Sequence, residues 1–150
     1  MTTTRTTSDN IDFQSLVLLL DDVLRNRDGE DHDFYAQHNT LDKINHVVVC
    51  YQENVAIGCG AFKKFDSNTV EIKRMFVRPD YRGKGMASLI LKELEIWASE
   101  IHYSNCVLET GANNPEAIAL YQKNGYKIIP NYGQYENIET SVCLKKSIAI

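Results

Sequence analysis

The chain has 150 residues, 43% of them hydrophobic and 24% charged, with a formal net charge of -4. That length holds one domain with a core rather than two ordinary ones. The acidic balance argues against a general nucleic-acid binder, and no apolar run reaches the roughly 18 residues of a membrane span.

The opening "MTTTRTTSDN" lacks the apolar segment of a secretory signal and reads as a frayed end or a short edge strand. In "DFQSLVLLLDDVLRNRDG" apolar residues at 13, 16, 17, 20, 23 and 24 keep helical spacing as far as Gly29. "DHDFYAQHNTLDKI" predicts a second, shorter helix. "HVVVCYQ" and "VAIGCGAFKKF" are β-type runs joined by "EN", a hairpin signal. "DSN" then turns into a third strand, "TVEIKRMFV", so a helical segment is followed by an antiparallel meander.

Next come "RPDY", "RGKG" and a run in which Met86, Leu89, Ile90, Leu94, Trp97 and Ile101 recur at three- and four-residue steps. That spacing is the apolar face of an amphipathic helix. "NCVLET" reads as a buried strand. Strand, helix and strand in this order form a βαβ unit, with parallel strands and a right-handed crossover. "NNPEAIALYQKNGY" is a helix with Asn114 as cap, a proline at its first position and Gly125 past its last turn. "YKII" and "IETSVCLKK" are closing strands around "PNYGQY".

The cysteines Cys50, Cys59, Cys106 and Cys143 are far apart and each sits among apolar residues. Buried free thiols in a cytoplasmic protein are expected, rather than a disulfide framework or a zinc site. His32, His38, His46 and His102 are also scattered, so no metal is expected.

"RGKG" stands where a βαβ unit offers a ligand site, at the carboxyl end of a strand beside a helix N-terminus. Gly83 and Gly85 permit positive φ and close approach to the backbone. The first helical amides lack partners and the helix dipole is positive there. Arg82 and Lys84 add charge. Together these suit a phosphate or diphosphate; a solvated basic loop is the plainer alternative. The P-loop pattern GxxxxGK[ST] is absent, and "GKGMAS" carries serine where GxGxxG has its third glycine.

"VRPDYRGKGMASLIL" resembles the acetyl-CoA-binding signature of the GCN5-related N-acetyltransferase (GNAT) superfamily. Arg82, Gly85 and Ala87 match its pattern [QR]-x-x-G-x-[GA]. "NNPEAIALYQKNGY" resembles the family's late segment, N-x-x-A-x-x-x-Y followed by glycine and an aromatic, through Asn114, Ala117, Tyr121, Gly125 and Tyr126. In element order the resemblance spans about residues 46 to 145.

The resemblance implies one α/β domain over residues 1–150: a mixed central sheet of six to seven strands, flanked by about four helices, with a splayed parallel pair forming the acetyl-CoA cleft. Main-chain groups of Met75, Phe76 and Val77 would pair with the pantetheine arm. The amides from Arg82 through Gly83, Lys84, Gly85 and Met86 to Ala87 would wrap the diphosphate. Asn114 would reach the cofactor, or serve only as the helix cap.

The implied reaction is direct attack of a primary amine on the thioester. Alkylamines titrate near ~10, so a base is needed. Glu71 fits the position where the family often places it, or is a surface carboxylate of its strand. Glu109 is the reserve candidate, or a structural partner of Lys73 or Arg74. Tyr121 matches the family's tyrosine acid, or is a core aromatic beside Ala117 and Ile118. The Val77 amide is the expected oxyanion donor, and the cysteines need not act. Tyr132 and Tyr135 line an acceptor site or cover an apolar edge. Phe34, Tyr35 and His38 are weaker candidates of the same kind.

The acceptor would be a small-molecule or protein amine, and carboxylates suit a cationic one. A homodimer is compatible, with no nucleic acid or membrane partner. Two rival functions stand beside this one: a non-catalytic CoA-binding regulatory module, and a nucleotide-binding protein using "GKG".

Overall fold

The computed structural model describes residues 1–28 and 43–148. The expected helix stop at Gly29, and the second helix with Phe34, Tyr35 and His38, fall outside these residues.

The strands are β1 (Thr2–Thr6), β2 (His46–Gln52), β3 (Val55–Lys64), β4 (Thr69–Val77), β5 (Asn105–Gly111), β6 (Lys127–Ile129) and β7 (Ser141–Ser147). The α-helices among the described residues are α1 (Ile11–Asp28), α2 (Met86–Glu100) and α3 (Pro115–Lys123). The strands hydrogen-bond in the order β1-β2-β3-β4-β5-β7-β6. The sheet is mixed, with β4 and β5 its parallel pair, as the resemblance implies. The chain packs as two compact units, Met1–Lys63 with Lys73–Leu94, and Lys64–Ile72 with Glu95–Ile150.

In the first unit the threonine-rich start is an edge strand, β1, antiparallel to β2 from Thr2↔Tyr51 to Thr6↔Val47. Asn10 caps α1 by accepting the Phe13 amide at 2.9 Å. The helix then lays Phe13, Leu16 and Val17 against Val47, Val49, Ala56 and Phe76. The "EN" turn joins β2 to β3 with both residues left-handed, Glu53 at φ 50° and Asn54 at φ 67°. That is the backbone of a primed hairpin turn, whose twist matches that of its strands.

"GCG" in β3 has a packing reason. A Cβ at Gly60 would stand 2.8 Å from Leu94 Cδ1 and 2.9 Å from Ile90 Cγ2, both on α2. Glycine is what lets this helix sit so close to the strand. Gly60→Ala is therefore expected to destabilise the protein by about 1–3 kcal/mol through overpacking. Denaturant unfolding would check this.

In the second unit β4 begins parallel to β5, through Thr69↔Asn105, Val70↔Cys106 and Glu71↔Val107. β7 runs antiparallel to β5 from Asn105↔Ser147 to Gly111↔Ser141, and β6 lies on its other side. The α3 boundaries are the expected ones. Asn114 Oδ1 accepts the Ala117 amide at 3.2 Å and Pro115 opens the helix. Gly125, at φ 94°, ends it as the Tyr126 amide bonds the Tyr121 carbonyl and the Gly125 amide bonds that of Gln122. Below it, the buried Glu95 carboxylate accepts from the Tyr126 hydroxyl at 2.9 Å and the Lys146 ammonium at 2.7 Å. A buried charge needs such partners.

Candidate active site

The first unit carries the glycine turn. β4 ends at Val77, and the Arg78 amide bonds the Ile57 carbonyl at 2.8 Å, tying the strand end to β3. A single helical turn, Pro79–Tyr81, follows. Gly83 and Gly85 then take φ of 76° and 84°, with nothing within 4 Å of where a Cβ would stand on either. The first backbone bond of α2 runs from the Leu89 amide to the Gly85 carbonyl at 3.1 Å. The Met86 and Ala87 amides therefore precede the helix's own ladder. The first turn of α2 carries no acidic side chain. Open space over left-handed glycines, a helix N-terminus and local positive charge suit a diphosphate.

Arg82 is more occupied than its sequence position suggests. Its Nε donates to the Val77 carbonyl at 2.9 Å, and its guanidinium lies 5.6 Å from the centre of the Phe76 ring. The side chain thus straps the turn back onto the end of β4. Lys84 Nζ lies 5.8 Å from the centre of the Tyr81 ring. Nothing in the sequence signals the backbone of Arg74, which has φ 61° inside β4. A left-handed arginine costs about 1–2 kcal/mol. It breaks the regular strand one residue before Met75, Phe76 and Val77. Arg74 is buried, with Nη1 3.8 Å from Asp21 Oδ1.

The second unit carries the carboxylates. Glu71 is level with Val107 in the parallel ladder, and side chains two residues apart on a strand share a face. Glu71 and Glu109 therefore lie on the same side of the sheet. Tyr132 Oη donates to Glu71 Oε2 at 2.7 Å, and Ser141 Oγ donates to Glu109 Oε2 at 2.7 Å. Tyr135 is only 2% exposed, and its ring meets that of Tyr132 edge-on at 5.8 Å. Burial, then the negative charge of Glu71, drives the Tyr132 phenol far above its usual range. Burial, then Glu109 and Glu71, raises that of Tyr135. Sequence spacing could not have paired Tyr132 with Glu71, which lies 61 residues away.

Tyr121 is 7% exposed and meets the Tyr126 ring edge-on at 5.9 Å. Asn114 holds the helix cap. The four cysteines are free and buried. Burial pushes Cys59 and Cys106 up to about 12 and Cys143 up to about 11. Such thiols are protonated near neutrality and are poor nucleophiles. The folded protein should accordingly resist a thiol-specific reagent at neutral pH, while the denatured chain reacts at all four. Rapid labelling of any one thiol in the native state would contradict this. Among the described residues no group of three or more His, Cys, Asp or Glu is placed to hold a metal ion, and no helix is long and apolar enough to cross a membrane.

Comparison with known proteins gives a consistent outcome. The model of the acetyltransferase (GNAT) family matches residues 13–126. IAA acetyltransferase of Azospirillum brasilense is 31% identical over 102 residues, which make up 67% of this chain and 67% of that protein. The chain spans only 50% of one further relative and 23% of another. A crystal structure from Klebsiella pneumoniae, named provisionally as an acyl-CoA N-acyltransferase, superposes with a TM-score of 0.80 and 25% identity, covering 98% of this chain and 97% of that one. A GNAT family acetyltransferase from Elizabethkingia anophelis, solved with acetyl-CoA bound, gives a TM-score of 0.70 at 20% identity, covering 97% of each chain.

Proposed function

Because the chain belongs to the acetyltransferase (GNAT) family and its cofactor is acetyl-CoA, we propose that it acetylates a primary amine by direct attack, with no acyl-enzyme. The observation that carries this reading is the turn at 82–87, with its two left-handed glycines open to solvent at the start of α2. Bound there, acetyl-CoA supplies the acetyl group as a thioester.

The proposed contributions of the protein are these. Met75, Phe76 and Val77 hold the pantetheine arm through their main chain. The amides from Arg82 to Ala87 hold the diphosphate, and Asn114 adds a cofactor contact to its role as cap. Glu71 accepts the proton that the acceptor amine must lose, because an amine attacks only through its free lone pair. Tyr121 provides a proton from its hydroxyl as the thiolate leaves. The Val77 amide donates to the oxygen on which negative charge develops. Direct attack is supported by the buried, protonated state of the thiols. Glu71 and Glu109, on one face of the sheet with Tyr132 and Tyr135 beside them, favour a cationic acceptor.

The test is a mass-spectrometric screen with acetyl-CoA and a panel of putrescine, spermidine, lysine, aspartate, tyramine and a lysine-bearing peptide. An acetylated amine is expected, with the cationic members preferred. CoA binding without any acetylated product would instead support the non-catalytic module.

A further inference from the structure

We propose that Tyr132 is a positioning residue, whose hydroxyl holds the Glu71 carboxylate in the orientation needed to take a proton from the acceptor amine. This rests on Glu71 being the base. The geometry is a 2.7 Å bond from Tyr132 Oη to Glu71 Oε2. A glutamate side chain has several rotatable bonds, and a partly exposed one samples many orientations. Fixing Oε2 also fixes the direction in which Oε1 presents itself.

For the tyrosine to do this it must itself be held, and it is. Its ring takes edge contacts from Phe65 at 5.0 Å and from Tyr135 at 5.8 Å. The loop that bears it is cross-tied by Asn131, whose Nδ2 donates to the Ile138 carbonyl at 3.0 Å and to that of Ser141 at 2.9 Å. A short helical turn, Gly133–Tyr135, follows directly, with the Tyr135 amide bonded to the Tyr132 carbonyl at 2.9 Å. The loop between β6 and β7 is thus a rigid bracket for one hydroxyl.

Tyr132 does not compete for the role of base. Its phenol stays protonated because burial and the adjacent carboxylate both oppose ionisation. It is a permanent donor, suited to orienting a carboxylate and unsuited to accepting a proton. Glu109 is held in a parallel way by Ser141.

The experiment is a kinetic double-mutant cycle on the full chain, with acetyl-CoA and the panel amine that turns over fastest. Tyr132→Phe keeps the ring and its edge contacts and removes only the hydroxyl. It should lower kcat about ten- to a hundredfold, the scale of a misaligned catalytic group, with the KM for acetyl-CoA unchanged. In a Glu71→Gln background the same change should have no further effect. Equal fold losses in both backgrounds, or wild-type kcat in Tyr132→Phe, would overturn the proposal. Wild-type kcat in Glu71→Gln would instead overturn the assignment of the base, and the positioning role with it. Circular dichroism and thermal unfolding report whether each variant folds. Should Tyr132→Phe fail to fold, Glu71→Asp draws the carboxylate back from the phenol and should show a similar loss of kcat. Full kcat there would count against the proposal.

Discussion

Replacing Glu71 by glutamine is expected to lower kcat by about a hundredfold or more, the usual contribution of a general base. The amide keeps the shape of the side chain and can still accept the Tyr132 hydroxyl through its carbonyl oxygen. It cannot take a proton from an ammonium. The KM for acetyl-CoA should not change, because Glu71 is not among the residues proposed to hold the cofactor, Met75 to Val77 and Arg82 to Ala87. Tyr121→Phe should cost less, about tenfold. A thiol of pKa near ~8.5 leaves as a thiolate without full assistance, so acid help accelerates the step without being essential. Steady-state kinetics on both variants would check this. Full turnover in both would refute the acid–base assignment while leaving family membership intact.

The second large effect is expected on binding. Gly85 sits at φ 84°, and no atom lies within 4 Å of the point a Cβ would occupy there. The Cβ of a valine here would meet no atom within 4 Å in the free protein. The left-handed backbone costs about 1–2 kcal/mol and weighs most on a β-branched residue, so thermal unfolding should show a fall. Its methyl groups would stand in the open space assigned to the diphosphate. CoA affinity should therefore fall by about a hundredfold, or some 2.7 kcal/mol. The distinction is between stability and binding. A variant that melts earlier yet binds CoA as the parent does would show that the diphosphate lies elsewhere.

Much of this is legible in the sequence because local rules agree with the fold. The strand "TVEIKRMFV" has the bounds of β4, and the asparagine, proline and glycine around α3 are its cap, first turn and stop. Of the apolar spacing after "RGKG", Met86, Ile90 and Leu94 are buried on α2, whereas Leu89 is exposed and Ile101 is exposed just past the helix end. Elsewhere the determining contacts are distant. The bond from Tyr132 to Glu71 joins a loop residue to a strand residue through the fold alone. β7 enters the sheet between β5 and β6, an order no local pattern specifies. Arg74 adopts a positive φ that its residue type does not announce. In the sequence Arg82 reads as a charge free for phosphate, and the structure has its Nε bonded to the Val77 carbonyl. That strap is visible only once the turn is folded.

The proposed grip of main-chain amides of the turn at 82–87 on the cofactor's diphosphate should be visible in amide nitrogen–proton correlation spectra recorded as CoA is titrated into the protein. The Gly83, Lys84, Gly85, Met86 and Ala87 amides should show the largest shifts, moving as hydrogen-bond donors do. Saturable binding with those five signals unmoved, and the large shifts elsewhere, would contradict it.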